Sequence, residues 1–343
     1  MVIVMGPGTV DQELSEVVRH VEAAGGTAFV SRGITRTIVG VVGDEDVLES
    51  LELLRLPGVA EVVRITAPYK LVSHENHQRT STVSVAGVPI GPDTFTLIAG
   101  PCAVETAEQT FLAASLAQRA GATLLRGGAF KPRTSPYAFQ GLGLDGLRIL
   151  AEVRAETGLP LVTEVVDAAD VPAVCEYADM LQVGTRNMQN FPLLQAVGSA
   201  GKPVLLKRGL SATYEEWLMA AEYIAQRGNL DIVLCERGIR TFETGTRNTL
   251  DVSAVPMVHR LSHLPVIVDP SHAAGQRDLV LPLARAGIAA GADGLIVDMH
   301  PHPEQALCDG AQALHEGQLA ELTQVVATLP ALMGRQIASR LRI

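Results

Sequence analysis

From residue 95 onward, apolar runs alternate with helical stretches eight times: FTLIAGPC, ATLLRGG, PLVTEV, DMLQVG, PVLLKRG, DIVLCERG, PVIVDPSH and GLIVDMH. Near-continuous apolar runs, rather than alternating ones, mark strands buried on both faces, as in parallel sheets covered by helices. Parallel neighbours need a crossover connection, usually a helix, which is what separates the runs. Eight such units predict a (β/α)8 barrel, an α/β TIM barrel. Of the 343 residues, such a barrel uses about 250, which leaves room for one further small domain. Apolar residues make up 47% and aromatics only 4%, so Val, Leu, Ile and Ala must fill the core.

The first 66 residues have a different rhythm. MVIVM reads as a strand, Thr9 and Gln12 as a capping box, and Leu14, Val17, Val18 and Val21 as the apolar stripe of a helix stopped by Gly25 and Gly26. Strands TAFVS and RTIVGVV follow, then a helix carrying Leu48, Leu51 and Leu54, the breaker Pro57-Gly58, and a last strand VAEVVRI. The order βαββαβ predicts a small ferredoxin-like domain over 1–66. Residues 67–81, polar and unpatterned, read as a linker. The remainder, 82–343, opens with TVSVAGVPIG, a hairpin turning at Ala86-Gly87, and continues into the barrel.

Net charge is −10, so no general field attracts nucleic acid or an anionic membrane, and any anionic ligand needs a local basic cluster. Four cysteines at 102, 175, 235 and 308 are irregularly spaced, the start lacks a charged signal-peptide head, and no apolar run approaches 18 residues. The expectation is a cytoplasmic protein with reduced thiols. GLGLDG at 141–146 matches the dinucleotide fingerprint by letter, but a Pro-rich polar loop precedes it rather than a strand. His300 and His302 form an H-x-H pair that trails the last strand, whereas a metal-dependent amidohydrolase carries that pair on an early one.

Chemistry in a barrel sits where strands end and loops begin. The eight ends carry Cys102, Arg126, Glu164, Arg186, Lys207, Arg237, His272 and Asp298. Arg126, Lys131, Arg133, Arg186, Lys207 and Arg237 form a cationic set, with the hydroxyls of Thr134 and Ser135 beside Arg133. Guanidinium forks match phosphate and carboxylate. The alternative, that each cation pairs with a neighbouring acid, demands more acids than the strand ends supply. Cys102, His272, Asp298 and Asp309 form a mixed S/N/O set suited to Mn, Fe, Co or Zn. Cys175 and Cys235 are expected in the core, and Cys308 to face away if Asp309 faces in.

AGPC-x-VE, LLRGGAFKPRTSPYAFQG, TEV, GTRNMQN, LLKRG, CERGIRTFE, VDPSH and HP-x-PE-x-AL-x-DG resemble the motifs of 3-deoxy-D-arabino-heptulosonate 7-phosphate (DAHP) synthases over residues 82 to about 328. The N-terminal module is similar to the regulatory domain of the type Iβ members. KPRTS is the form that goes with erythrose 4-phosphate, whereas sister enzymes that use arabinose 5-phosphate usually read KANRTS.

The resemblance implies condensation of phosphoenolpyruvate with erythrose 4-phosphate, releasing phosphate, as the first step toward aromatic amino acids. It implies that Arg126, Lys131, Arg186, Lys207, Arg237 and the backbone near Thr185 hold phosphoenolpyruvate. Lys131, Pro132, Arg133, Thr134 and Ser135 would hold erythrose 4-phosphate. A divalent cation would lie on Cys102, His272, Asp298 and Asp309, with Lys131, Glu164 and Asp309 in proton transfer and water orientation. At 298 many family members carry Glu, one methylene longer. The resemblance further implies a homotetramer inhibited by tyrosine or phenylalanine through residues 1–66, the alternative being a module that only assists oligomerisation. A barrel that has lost catalysis and survives as an amino-acid sensor is disfavoured by the intact KPRTS, Cys102 and His272.

Overall fold

The structure is a computed structural model that describes residues 1–32, 37–44, 47, 51–64, 67–77 and 79–338. β1 (Val2–Met5), α1 (Asp11–Ala23), β2 (Thr27–Arg32), β3 (Thr37–Val42), a 3-10 turn at Leu53–Arg55 and β4 (Val59–Val63) open the chain. The four strands form an antiparallel sheet of order β2-β3-β1-β4, the ferredoxin-like arrangement predicted. Alternation along β1 and β3 splits their apolar residues between two faces. Ile3, Met5, Val39 and Val41 pack on Leu14, Val17 and Val21 of α1. Val2, Val4 and Ile38 face the other way and join the cluster containing Tyr69, Leu71 and Val72.

Two local expectations change. The Val10 N–H at the start of α1 donates to the Glu13 carboxylate, one residue beyond Gln12, while the Thr9 hydroxyl donates to the carbonyls of Gly6 and Gly58. Thr9 thereby ties the helix start to the turn before β4 instead of capping. Leu48 lies outside the described residues; among those described in this stretch, Leu53 is buried and Leu54 is exposed.

Within the polar stretch 67–81, the described residues around Leu71 are held against the barrel. Lys70, Leu71 and Val72 donate their backbone N–H groups to the buried Glu222 carboxylate, and Ser262 and His263 bond the carbonyls of Val72 and Leu71. β5 (Val83–Val85) and β6 (Val88–Ile90) form the expected hairpin. Ala86 and Gly87 both take left-handed φ, at 47° and 86°, the combination that a two-residue type I′ turn needs.

The barrel strands are β7 (Thr94–Gly100), β8 (Leu124–Arg126), β9 (Leu161–Val165), β10 (Met180–Val183), β11 (Val204–Lys207), β12 (Ile232–Glu236), β13 (Val266–Val268) and β14 (Gly294–Asp298). All pair in parallel, and β14 closes on β7. Helices α2 (Ala107–Arg119), α3 (Leu144–Thr157), α4 (Val171–Tyr177), α5 (Phe191–Gly198), α6 (Tyr214–Ala225), α7 (Ala254–Leu261), α8 (Pro270–Ala274), α9 (Arg277–Ala289) and α10 (Glu316–Leu332) complete it, with β15 (Gln336–Ile337) alongside β7. Caps of about 1 kcal/mol each fix helix starts: Thr106 accepts from Gln109 N, and Thr213 and Glu216 form a reciprocal box.

Inside, each strand contributes one apolar residue to a shared layer: Ile98, Leu124, Val162, Met180, Leu205, Val233, Ile267 and Ile296. The hairpin side chains Val83, Val85, Val88 and Ile90 join that layer and stopper one end. No helix among the described residues is long and apolar enough to cross a membrane.

Candidate active site

Two residues on from each member of that apolar layer, the same face of the strand comes round again. The positions reached are Gly100, Arg126, Glu164, Gln182, Lys207, Cys235, Asp269 and Asp298. The hairpin seals the end below, so this second, largely polar layer floors the open mouth. Each charged member is buried, Asp269 and Asp298 completely, which requires paired charges. Lys207 pairs with Asp269 and Arg126 with Asp298.

Above this floor, loops add the remaining donors. Cys102, two residues beyond β7, lies 3.1 Å from Asp309 Oδ2 and 4.0 Å from His272 Nε2. His272 stands on α8, whose start Asp269 caps by accepting from His272 N, and its Nδ1 is 2.8 Å from the second oxygen of Asp269. Cys102, His272, Asp298 and Asp309 each place a donor atom within 4.8 Å of the others. A thiolate, an imidazole and two carboxylates so close together fit a divalent transition cation better than they fit one another.

The cysteine reading needs one correction. Cys308 does not face away: its sulfur is 3.7 Å from Cys102 Sγ and accepts from Arg133 Nη1 at 2.9 Å. Asp309 adopts φ 56°, a left-handed turn that Asp tolerates better than most residues. That turn breaks the alternation on which the expectation rested and sends both side chains inward. Cys235 does lie in the barrel core.

A cavity of about 320 Å³ opens over the floor, its wall bearing seven cations, Arg126, Lys131, Arg133, Arg186, Lys207, Arg237 and Arg247, against two acids, Glu164 and Asp309. Thr134, Ser135 and Thr185 line it too. Four of the cations have polar neighbours other than carboxylates. Lys131 donates to the Cys102 carbonyl at 3.0 Å, Arg133 to Cys308, Arg186 to Thr134 Oγ1 and the Pro132 carbonyl, and Arg237 to the Gly238 carbonyl. Pairing with neighbouring acids thus describes Arg126, Lys207 and Arg247, and not the whole set.

The electrostatics follow. The hydrogen bond from the Cys308 thiol, opposed by burial and reinforced by Lys131, His272 and Arg126, holds the Cys102 thiol well below its ordinary range. The same bond raises Cys308, which stays the protonated partner. Burial works against the Lys131 ammonium, but the Cys102 thiolate and Glu164 outweigh it and raise its pKa. Burial also opposes the Asp269 carboxylate, yet His272 and Lys207 hold it well below the usual range. Burial lowers Arg237, as expected of a cation waiting for an anion.

Sequence reading missed Asp269, Gln182, Arg247 and Gln312. The first two were reachable by the two-residue step from Ile267 and Met180. Arg247 and Gln312 come from loops: Arg247 Nη1 lies 3.0 Å from Asp309 Oδ1 and 2.9 Å from Gln312 Oε1. No strand runs directly into GLGLDG: β8 ends at Arg126, and α3 begins at Leu144. Gly141, at φ 93°, sits so close to the Ala129 carbonyl that a Cβ would approach it to 2.1 Å, and Gly143 caps α3. His300 Nε2 is 3.5 Å from Glu105 Oε2, and His302 N donates to His300 Nδ1.

Comparison with known proteins agrees with this architecture. Residues 72–333 match the DAHP synthetase I family and residues 1–67 the DAHP synthase ferredoxin-like domain. The chain is 49% identical over 337 residues to a phospho-2-dehydro-3-deoxyheptonate aldolase of Thermotoga maritima, covering 98% of this chain and 100% of that one. A crystal structure of the Thermotoga maritima DAHP synthase superposes with TM-score 0.78 at 48% identity over 98% of both chains. A truncated form from Thermotoga maritima superposes with TM-score 0.74 at 49% identity, over 78% of this chain and 99% of that one. A 2-dehydro-3-deoxyphosphooctonate aldolase of Acidithiobacillus ferrooxidans is 35% identical over 250 residues, 68% of this chain and 88% of that one. The barrel and the ferredoxin-like sheet are those of a DAHP synthase, and the chain belongs to the DAHP synthetase I family.

Proposed function

We propose that the barrel mouth joins phosphoenolpyruvate to erythrose 4-phosphate, giving 3-deoxy-D-arabino-heptulosonate 7-phosphate and inorganic phosphate. The observation that carries this reading is the single cavity whose wall bears seven cations, two acids and the hydroxyls of Thr134 and Ser135, with His272 and Asp309 at one side. Two multiply charged anions repel each other, and a cationic wall lets both approach with reacting carbons in contact. Each charge-assisted hydrogen bond contributes about 1.5 to 3 kcal/mol.

Arg126, Lys131, Arg186, Lys207, Arg237 and the Thr185 backbone hold the phosphate and carboxylate of phosphoenolpyruvate. Arg133, Thr134 and Ser135 grip the phosphate of the aldose, on a loop stiffened by Pro132 and Pro136. A divalent cation at the cluster of Cys102, His272, Asp298 and Asp309, Mn, Fe, Co or Zn, would supply Lewis acidity toward the aldehyde. Attack by C3 of phosphoenolpyruvate forms the new C–C bond, and Lys131 protonates the resulting alkoxide, with Asp309 as the other group in reach. Glu164 orients the water that adds to C2, after which the C2–O bond to phosphate breaks.

Residues 1–66 serve as a regulatory domain binding tyrosine or phenylalanine, residues 67–81 connect it, and 82–343 carry catalysis in a cytoplasmic homotetramer. The full-length protein with Mn²⁺ and both substrates should consume phosphoenolpyruvate and release one phosphate per molecule consumed. Excess chelator should stop it, and turnover unaffected by chelator removes the cation from the mechanism. Arabinose 5-phosphate in place of erythrose 4-phosphate should give a far lower kcat/KM; the reverse preference assigns the octulosonate reaction instead.

A further inference from the structure

The four donors of the cation cluster are not equivalent. Cys102 Sγ, Asp309 Oδ2 and His272 Nε2 form a triangle with sides of 3.1, 3.7 and 4.0 Å. The circle through its corners has a radius of about 2.1 Å, matching bond lengths of 2.0 to 2.3 Å from a small divalent cation to O, N and S. Asp309 is poised for this role, because Arg247 holds its Oδ1 at 3.0 Å and leaves Oδ2 facing Cys102 and His272.

Asp298 also places a donor atom within 4.8 Å of the other three, but its engagement differs from theirs. Its ion-pair approach to His272 is to Nδ1, at 3.6 Å, the nitrogen that already lies 2.8 Å from Asp269. Both of its oxygens are engaged: Oδ1 by Arg126 Nη1, and Oδ2 by Gln312 Nε2 at 2.6 Å. Its backbone N–H is fixed too, on Ser271 Oγ at 3.0 Å. The side chain is fully buried, at the end of β14.

We propose that three protein groups, Cys102, His272 through Nε2 and Asp309, ligate the cation in this chain. Asp298 stands one step back as the counter-ion that positions Arg126. The side-chain length fits: a Glu at 298 would extend by one methylene toward the cation, whereas Asp ends at Arg126 and Gln312. Arg126 lines the cavity, so a guanidinium held by Asp298 is fixed at the wall where a substrate anion would bind. The coordination position that Asp298 does not take is left to solvent or substrate oxygen. This inference rests on the cluster binding a cation at all.

The experiment uses the full-length protein with Mn²⁺ and no substrate, reading electron paramagnetic resonance. Free Mn²⁺ gives the affinity, and line broadening in ¹⁷O-enriched water counts the waters on the bound ion. Six-coordinate Mn²⁺ with three protein donors keeps about three waters; two or fewer overturns the proposal. D298N should weaken Mn²⁺ binding by at most about 100-fold, as loss of an outer partner does. D309N and C102S should weaken it at least about tenfold more than D298N does. D298N should also raise the KM for phosphoenolpyruvate, whereas equal losses in D298N and D309N assign Asp298 to the cation. Should D298N fail to fold, the wild-type water count decides alone. A wild-type protein that binds no Mn²⁺, or whose binding ignores C102S, refutes the cation site itself.

Discussion

The Lys131 ammonium lies 3.3 Å from the Cys102 sulfur and 3.0 Å from the Cys102 carbonyl oxygen. One residue therefore links the cationic wall to the thiolate of the cation cluster. K131M should lower kcat by about 10² to 10⁴, the usual yield of a positioned proton donor, while circular dichroism stays native. A kcat within tenfold of wild type removes Lys131 from proton transfer.

Glu164 is, after Cys102, the next largest influence that raises the Lys131 pKa against burial. E164Q removes a charge that favours the ammonium, so the Lys131 pKa falls. The alkaline limb of the kcat profile should move to lower pH. An unmoved limb assigns it to another group.

The hydrogen bond from Cys308 is the largest cause that lowers the Cys102 pKa. In C308A, thiolate absorbance near 240 nm in metal-free protein should appear at higher pH than in wild type. A titration at unchanged pH means that Lys131, His272 and Arg126 suffice.

Arg133 reaches Cys308 from the loop that begins at Lys131, in the wall where Thr134 and Ser135 also stand. R133A should raise the KM for erythrose 4-phosphate by about 10- to 100-fold, the loss of one or two charge-assisted bonds. The KM for phosphoenolpyruvate should change less than threefold. A matched rise in both constants assigns Arg133 to the whole cavity.

The barrel was legible because buried parallel strands are written as uninterrupted apolar runs, and their ends fall at fixed places. The same period of two predicts the polar floor once an inward residue such as Ile267 is known, so Asp269 was within reach of the pattern. Other features were not. Whether Cys308 faces in depends on one left-handed residue, Asp309. The start of α1 turned on Glu13 and on a carbonyl at Gly58, 49 residues beyond Thr9. The polar stretch 67–81 looked unattached because its anchor, Glu222, lies 151 residues beyond Leu71.

That anchor dictates where the chain can be cut. A protein starting at residue 67 keeps the three N–H groups that satisfy Glu222, whereas one starting at residue 81 leaves a buried carboxylate without them. The shorter protein should be less stable by about 3 kcal/mol or more in urea unfolding. Equal stability would show that water replaces those bonds. The longer one should remain active and lose any inhibition by tyrosine or phenylalanine, and inhibition that persists moves the effector site into the barrel.

The most direct measurement is a crystal structure with phosphoenolpyruvate and Mn²⁺. The phosphate and carboxylate should sit on Arg126, Lys131, Arg186, Lys207 and Arg237, with the ion within bonding distance of Cys102 Sγ and His272 Nε2. Phosphoenolpyruvate bound elsewhere, or an ion away from that sulfur and that nitrogen, would contradict the joining of two anions at this mouth.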